Sequence, residues 1–281
     1  VYITADGKHN GITCSVIEST GKEAVCIMED DGDIGQSLIP QRHFVQNCYI
    51  SNVKGTGIRV EGVGSIISHN FIQNTTNNGI SVNRTNETIV EYNEITDTNY
   101  EIADGGAIYL TGYLESRGNH MRYNYIHDIN ARGIYLDDTS SDNYVYGNIV
   151  QGATMALFTH NGRENIFYEN LVVDAKNSSI NDGPNYYADN GSMAYQWING
   201  TVNMGSQCAY MNKDNAIYIN VYASPWSLRY PELVEFTDMV KTHQADRKKQ
   251  GYTRNALEDW LRAPTRNCYR NNVVVNSPAI D

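Results

Sequence analysis

The sequence is short of the residues from which metal sites, membrane spans and nucleic-acid surfaces are built. Among 281 residues there are five cysteines (Cys14, Cys26, Cys48, Cys208, Cys268), an odd number with no CxxC pair. That disfavours a zinc site and allows at most two disulfides; buried free thiols are the expected state. No stretch approaches the roughly 18 consecutive apolar residues of a membrane helix. Lysine and arginine total 21 against 32 acidic residues, for a net charge of −11, so the basic face that nucleic-acid binding needs is missing. No signal peptide is expected within this chain, since Val1 already lies in strand-like sequence.

What is abundant is asparagine (33), glycine (23) and tyrosine (21). Asparagine and glycine are poor helix formers, so the composition argues for a β protein. A hydrophobic fraction of 41% is too high for a disordered chain. Six N-x-[ST] sequons, at Asn74, Asn83, Asn86, Asn177, Asn190 and Asn199, are no more than so much asparagine produces by chance.

An internal repeat organises the chain. The segments QNCYIS, SHNFIQ, EYNEIT, RYNYIH, YGNIVQ and YENLVV align on Cys48, Asn70, Asn93, Asn124, Asn148 and Asn170, at spacings of 22, 23, 31, 24 and 22. Cys14 extends the series backwards, and Asn220 and Asn272 extend it forwards. A second short apolar element follows each anchor: GIRV (57–60), GISV (79–82), AIYL (107–110), GIYL (133–136) and ALFT (156–159). A period near 22 with short strands and polar turns predicts an all-β, single-stranded right-handed parallel β-helix. The leucine consensus of the alternative solenoid with this period is absent. In such a solenoid the anchors stack about 4.8 Å apart, and their amides form a hydrogen-bonded ladder. One domain over 1–281 is expected. It comprises coils over about 10–175, irregular aromatic loops over 175–215, an excursion over 224–264 and a final coil over 265–281.

Strand alternation predicts which side chains face out. Ile58, Val60, Ile80, Val82, Ile108, Leu110, Ile134, Leu136 and Phe158 are expected inside. Arg59, Ser81, Tyr109, Tyr135 and Leu157 form one outward column, and Glu61, Asn83, Thr111, Asp137 and Thr159 the next. Outward tyrosines beside a carboxylate suit sugar binding, because flat rings pack on pyranoses and acceptors catch hydroxyls.

Function is expected where the repeat breaks. The 31-residue spacing holds TNYEIADGG (98–106) and GYLESRGNH (112–120), which bring Glu101, Asp104, Glu115 and Arg117 to the ends of the strand carrying Tyr109. GIYLDDTSSD places Asp137 and Asp138 at a strand end. One coil later FTHNGREN puts His160 opposite Asp138, with Arg163 following. Neighbouring carboxylates and cations split one another's pKa values, as paired-carboxylate acid–base chemistry requires. Each residue also has a plain structural alternative: Asp104 and the Asp pair as turn residues, His160 as support, the tyrosines as surface aromatics. Asp137, Asp138 and Asp104 together are a weak Ca²⁺ alternative; otherwise no cofactor is expected. Trp197, in NYYADNGSMAYQW, is a candidate wall of the binding cleft. Leu233, Phe236, Met239 and Val240, opened by Pro231 and Glu232, predict a helix; with a second near 254–262 they form a small helical insertion near 228–262.

The run DGGAIYL…NHMRYNYIHDI…GIYLDDTSSDNYVYGNIV…HNGRENIFYENLVVDA, with PWSLRYPEL downstream, resembles the carbohydrate-active right-handed parallel β-helix proteins. Within them it is most similar to the glycoside-hydrolase branch that acts on xylan and fucose-containing glycans and includes β-xylosidases. The resemblance spans about residues 10–280. It implies an acidic pair on the outer face of adjacent coils, here Asp104 with Asp137 or Asp138, and substrate contacts from His160, Arg163 and the tyrosines. The chain starts within a coil and ends at NSPAID without an evident cap, so a fragment or a naturally short member is expected. The reading is therefore a secreted or periplasmic glycan-processing enzyme, first a glycoside hydrolase on an oligo- or polysaccharide. The alternatives are a polysaccharide lyase or uronate epimerase, and a non-catalytic glycan-binding β-helix.

Overall fold

The computed structural model describes residues 1–4, 7–28, 37–111, 116–137, 140–160, 162–183, 220–238, 242 and 266–278. Twenty-four short strands form three sheets of eight, every pairing parallel, and the chain visits the sheets in rotation. This is the parallel β-helix that the repeat predicts. The first sheet contains Tyr2–Thr4, Val25–Met28, Ile58–Val63, Ile80–Asn86, Gly106–Thr111, Arg132–Leu136, Met155–His160 and Ser178–Gly183. The final coil is interrupted after Ser178–Gly183; its other strands are Cys268–Arg270 and Val273–Val275.

The interior is a set of aliphatic columns. In the first sheet Ile58, Ile80, Ile108, Ile134, Leu157 and Ile180 stand in register, all buried. Matching columns run through Ile67, Val90, Met121, Val145 and Phe167, and through Ile50, Ile72, Ile95, Ile126, Val150 and Val172. Each fully buried side chain of this size contributes roughly 1.5–3 kcal/mol. Gly133 shows how tightly turn and column meet. A Cβ there would lie 2.5 Å from a Val150 methyl and 2.6 Å from the Ala156 carbonyl oxygen.

The asparagine ladder forms as expected. The side-chain amide of Asn70 donates to Asn93 Oδ1 (2.9 Å), and the same bond joins Asn93 to Asn124 (3.0 Å), Asn124 to Asn148, Asn148 to Asn170 and Asn170 to Asn272 (2.9 Å each). A second ladder stands five residues earlier in each coil, linking Asn119 to Asn143 (2.9 Å) and Asn143 to Asn165 (3.4 Å); the Asn165 backbone N–H continues it to Asn267. The residue before each anchor takes a left-handed conformation: Asn47, His69, Tyr92, Tyr123, Gly147, Glu169 and Asn271 all have positive φ.

Three expectations are corrected. Val16 pairs with Tyr49, so Ser15, not Cys14, is the counterpart of Cys48; Cys14 holds the left-handed position before it (φ 50°). Asn220 is exposed and caps a turn through Tyr222 rather than joining the ladder. In the strand Met155–His160, Leu157 pairs with the inward Ile134, Phe158 with the outward Tyr135, and Thr159 with the inward Leu136. Phe158 therefore faces out while Leu157 and Thr159 face in. A one-residue slip inverts every assignment in a strand, and MALFTH has no clean apolar–polar alternation to prevent it.

The described residues fall into two compact units, one of 1–30, 39–183 and 264–281, the other of 31–38 and 184–263. In the second, a helix Trp226–Arg229 is followed by a helix over 231–238 that begins at Pro231 and buries Leu233 and Phe236. Met239, Val240 and the helix expected near 254–262 lie outside the described residues. No helix among the described residues is long and apolar enough to cross a membrane. Cys14, Cys26, Cys48 and Cys268 are free thiols.

Two histidines make stability pH-dependent. Burial pushes His43 below the ordinary histidine value, opposed by its bond to Asn10. Burial does the same to His120, and the Arg122 charge adds to it. The unfolded chain then takes up protons first, below about pH 6.5. Stability should be full above that pH and fall as pH drops toward the depressed folded values. Urea midpoints between pH 8 and 5 would check this, and His43→Gln should flatten the slope; an unchanged midpoint across the range contradicts it.

Candidate active site

The outward face of the first sheet carries side chains in i, i+2 pairs up the solenoid. Lower coils hold Arg59, whose Nη2 donates to Glu61 (2.7 Å), and Ser81, whose hydroxyl donates to Asn83 (3.0 Å). Higher up the pairs become Tyr109 with Thr111, Tyr135 with Asp137, and Phe158 with His160. Parallel register stacks them: Ser81 pairs with Tyr109, Tyr109 with Tyr135, and Tyr135 with Phe158.

Asp137 lies at the centre of the upper group. It is 5% exposed. Its Oδ2 accepts the Tyr109 hydroxyl (2.7 Å), and its Oδ1 accepts the Tyr135 hydroxyl (2.7 Å) and the Nδ1–H of His160 (2.8 Å). Because a carboxylate at this site only accepts, the proton on His160 is assigned to Nδ1. Burial alone would raise the carboxyl pKa, but the donors from His160, Tyr109 and Tyr135 outweigh it and hold Asp137 below the ordinary carboxylate value. Tyr135 moves the opposite way. Burial, then the Asp137 charge, push its phenol far above the usual range, so it stays protonated and keeps donating.

Three strands thus supply one anion and three donors. Rings frame them: Tyr109 meets Tyr135 edge-on at 5.2 Å, and Tyr135 lies 4.8 Å from Phe158. The His160 side chain is 20% exposed, and its Nε2 has no hydrogen-bond partner among the described residues.

The other sequence candidates are placed as follows. Asp104 is exposed (side chain 76%) on the loop before Gly106–Thr111, and its Oδ1 accepts from Arg132 Nη1 (3.3 Å). Its charge is felt at Tyr135, so it belongs to the same neighbourhood. Glu101 is exposed and contributes its backbone N–H to Thr76 (2.9 Å), a turn contact. Arg163 is buried; its backbone N–H donates to Ser141 Oγ (3.0 Å). Burial lowers its pKa to about 10, with Glu164 opposing and Arg266 adding. His160, expected opposite Asp138, bonds Asp137. Asp138, Glu115 and Trp197 lie outside the described residues. Arg117, expected beyond the end of the strand carrying Tyr109, is buried and paired with Glu164 (2.7 Å). Of the three residues of the Ca²⁺ alternative, Asp138 lies outside the described residues; among the described residues no group of three His, Cys, Asp or Glu converges.

Sequence reasoning passed over Arg132. It opens the strand that carries Tyr135, and its guanidinium lies 4.4 Å from the Tyr135 ring centre and 5.0 Å from that of Phe158. The signal was present: RGIYL sets an arginine three residues before the tyrosine of the site.

Three parallel sheets wound in rotation, with stacked asparagine and aliphatic columns, define a parallel β-helix solenoid. The family model described as "Right handed beta helix region" matches residues 1–172, and the chain belongs to that family. No curated protein and no solved structure matches this chain.

Proposed function

We propose that this protein is a glycan-processing enzyme, first of all a glycoside hydrolase, working on the outward face of Gly106–Thr111, Arg132–Leu136 and Met155–His160. The observation that carries the reading is Asp137, a carboxylate held ionised by three donors and framed by aromatic rings. Held so, it is ready either to attack the anomeric carbon or to take a proton from water. Asp104, exposed at the lip, is the second carboxylate and the proton donor to the glycosidic oxygen. A carboxylate separation of about 5–5.5 Å goes with retention, and roughly 6.5–9.5 Å with inversion; the anomer released reports which operates. No cofactor is required. A polysaccharide substrate makes secretion the expected location.

A second reading, polysaccharide lyase or uronate epimerase, is favoured by the His160–Asp137 bond. With Nδ1–H committed to the carboxylate, Nε2 is the proton-accepting nitrogen, as abstraction from a sugar carbon requires. Incubation with a panel of plant and host polysaccharides, followed by product analysis, separates the readings. New reducing ends on saturated products support hydrolysis, and products with an ultraviolet-absorbing double bond support elimination. Retention of a glycan without any product selects a non-catalytic binding β-helix, and neither binding nor product overturns the proposal.

Tyr135→Phe tests the electrostatics. It removes one donor from Asp137 Oδ1, so the Asp137 pKa rises. The acid limb of the pH–rate profile should then move to higher pH, with the neutral-pH rate reduced less than tenfold or so. A limb that stays in place, or moves down, counts against Asp137 as the titrating group.

A further inference from the structure

We infer that Arg132 makes this site a reader of anionic sugars, its guanidinium bonding a carboxylate or sulfate on the unit that lies beside Asp137. The inference rests on the glycan reading above but not on the choice between hydrolysis and elimination.

Arg132 is the sole lysine or arginine on the three strands that build the site. Its position is fixed from several sides. The guanidinium lies against the Tyr135 and Phe158 rings, and Nη1 donates to the Ala103 carbonyl (3.0 Å) and to Asp104 (3.3 Å). Nε is buried without a partner. Nη2 has no hydrogen bond among the described residues and is not enclosed, and the side chain as a whole is 21% exposed. One donor edge of a pre-ordered cation thus remains open at the rim of the aromatic frame. A planar guanidinium already stripped of much of its water and held by rings loses little freedom on bonding an oxyanion. Asp104, its ion-pair partner, is exposed and bonds Nη1 alone, so an oxyanion would take the Nη2 edge that Asp104 leaves open, with a stronger bond than a neutral sugar hydroxyl gives. The chain's net charge of −11 supplies no general attraction for an acidic polymer, so the recognition must be local, and Arg132 is where it is local.

The structural alternative is that Arg132 serves only to hold the 103–104 turn. The two roles separate in a ratio. Wild type, Arg132→Gln and Arg132→Lys are assayed on an acidic polysaccharide and on its carboxyl-reduced form, and on a sulfated glycan and its desulfated form. Wild type should favour the anionic member of one pair in kcat/KM by about 10- to 100-fold, the worth of one charge-assisted hydrogen bond. Arg132→Gln should collapse that ratio toward one, and Arg132→Lys should restore part of it. The responding pair tells carboxylate from sulfate. A structural tie would lower activity on both members equally and leave the ratio intact, which overturns the inference while the glycan reading stands. Equal activity of wild type on both members overturns it in the same way. If no product forms, the same ratios are read as retardation in gels containing each glycan. Failure to bind or cleave any of the four removes the glycan reading and the inference with it.

Discussion

Asp137→Asn should abolish glycan cleavage, lowering kcat by about 10²–10⁴-fold or more, the range that a lost acid–base or nucleophilic group commands. The reason lies in charge rather than shape. Asparagine keeps an oxygen where Oδ1 accepts from Tyr135 and His160, and the Tyr109 hydroxyl can rotate to receive from the amide instead of donating. The site can therefore stay bonded while losing its anion. Some stability goes with the charge, about 1–3 kcal/mol, so the variant should melt earlier yet give the far-ultraviolet spectrum of the wild-type solenoid. Asp137→Ala, by contrast, strands three donors and confounds folding with chemistry. Asp104→Asn should also stop hydrolysis, and because Asp104 is exposed its melting temperature should hardly change. Full glycan cleavage by either asparagine variant would end the paired-carboxylate reading. Loss in Asp137→Asn with full activity in Asp104→Asn would shift it toward the His160 chemistry.

The largest effect on stability is expected from the ladder. Asn124→Ala deprives the Asn93 backbone N–H (3.1 Å), the Asn93 side-chain amide (3.0 Å) and the Val90 carbonyl (3.0 Å) of their partner. All lie in the buried interior. At about 1–3 kcal/mol per orphaned group, the loss is about 3–6 kcal/mol, read as a shifted urea midpoint at constant slope. Asn74→Gly is the control, because glycine keeps the left-handed backbone that Asn74 adopts (φ 52°). Asn74 also bonds an asparagine one coil away, Asn52, but in the open, and its loss should stay within about 0.5 kcal/mol. Equal effects at the two positions would mean that the ladder stabilises through something other than burial of its polar groups.

These two sites also show what was legible from sequence. The main ladder was readable because one residue type recurs at one position through Asn70, Asn93, Asn124, Asn148 and Asn170. Its companion was missed because its earlier rungs are Ser65 and Thr88, and only Asn119, Asn143, Asn165 and Asn267 carry the amide. Five-residue spacing to the main anchors would have revealed it. Tyr109, Tyr135 and Asp137 were placed on one face by alternation alone, since AIYL and GIYLDD alternate cleanly. The partner of Asp137 was not. His160 sits 23 residues on rather than 22, and a one-residue difference in a solenoid decides which side chains touch. Arg132 escaped because a cation before a glycine reads as a solvated turn; only the turn of its guanidinium back over Tyr135 gives it a part in the site.

The interruption of the final coil has a consequence for how the solenoid holds together. Through most of its length each coil closes on the previous one after a short circuit, such as the 22 residues from Asn148 to Asn170. The last rung, Asn170 to Asn272, spans 102. Closing a chain segment that much longer costs about 1.4 kcal/mol more in configurational entropy, and stability in a stacked array passes only between neighbours. Cys268–Arg270 and Val273–Val275 are thus fastened to Ile166–Tyr168 and Leu171–Val173 through a long tether. Their attachment should therefore open at lower cost than the joints between the coils that carry Asp137.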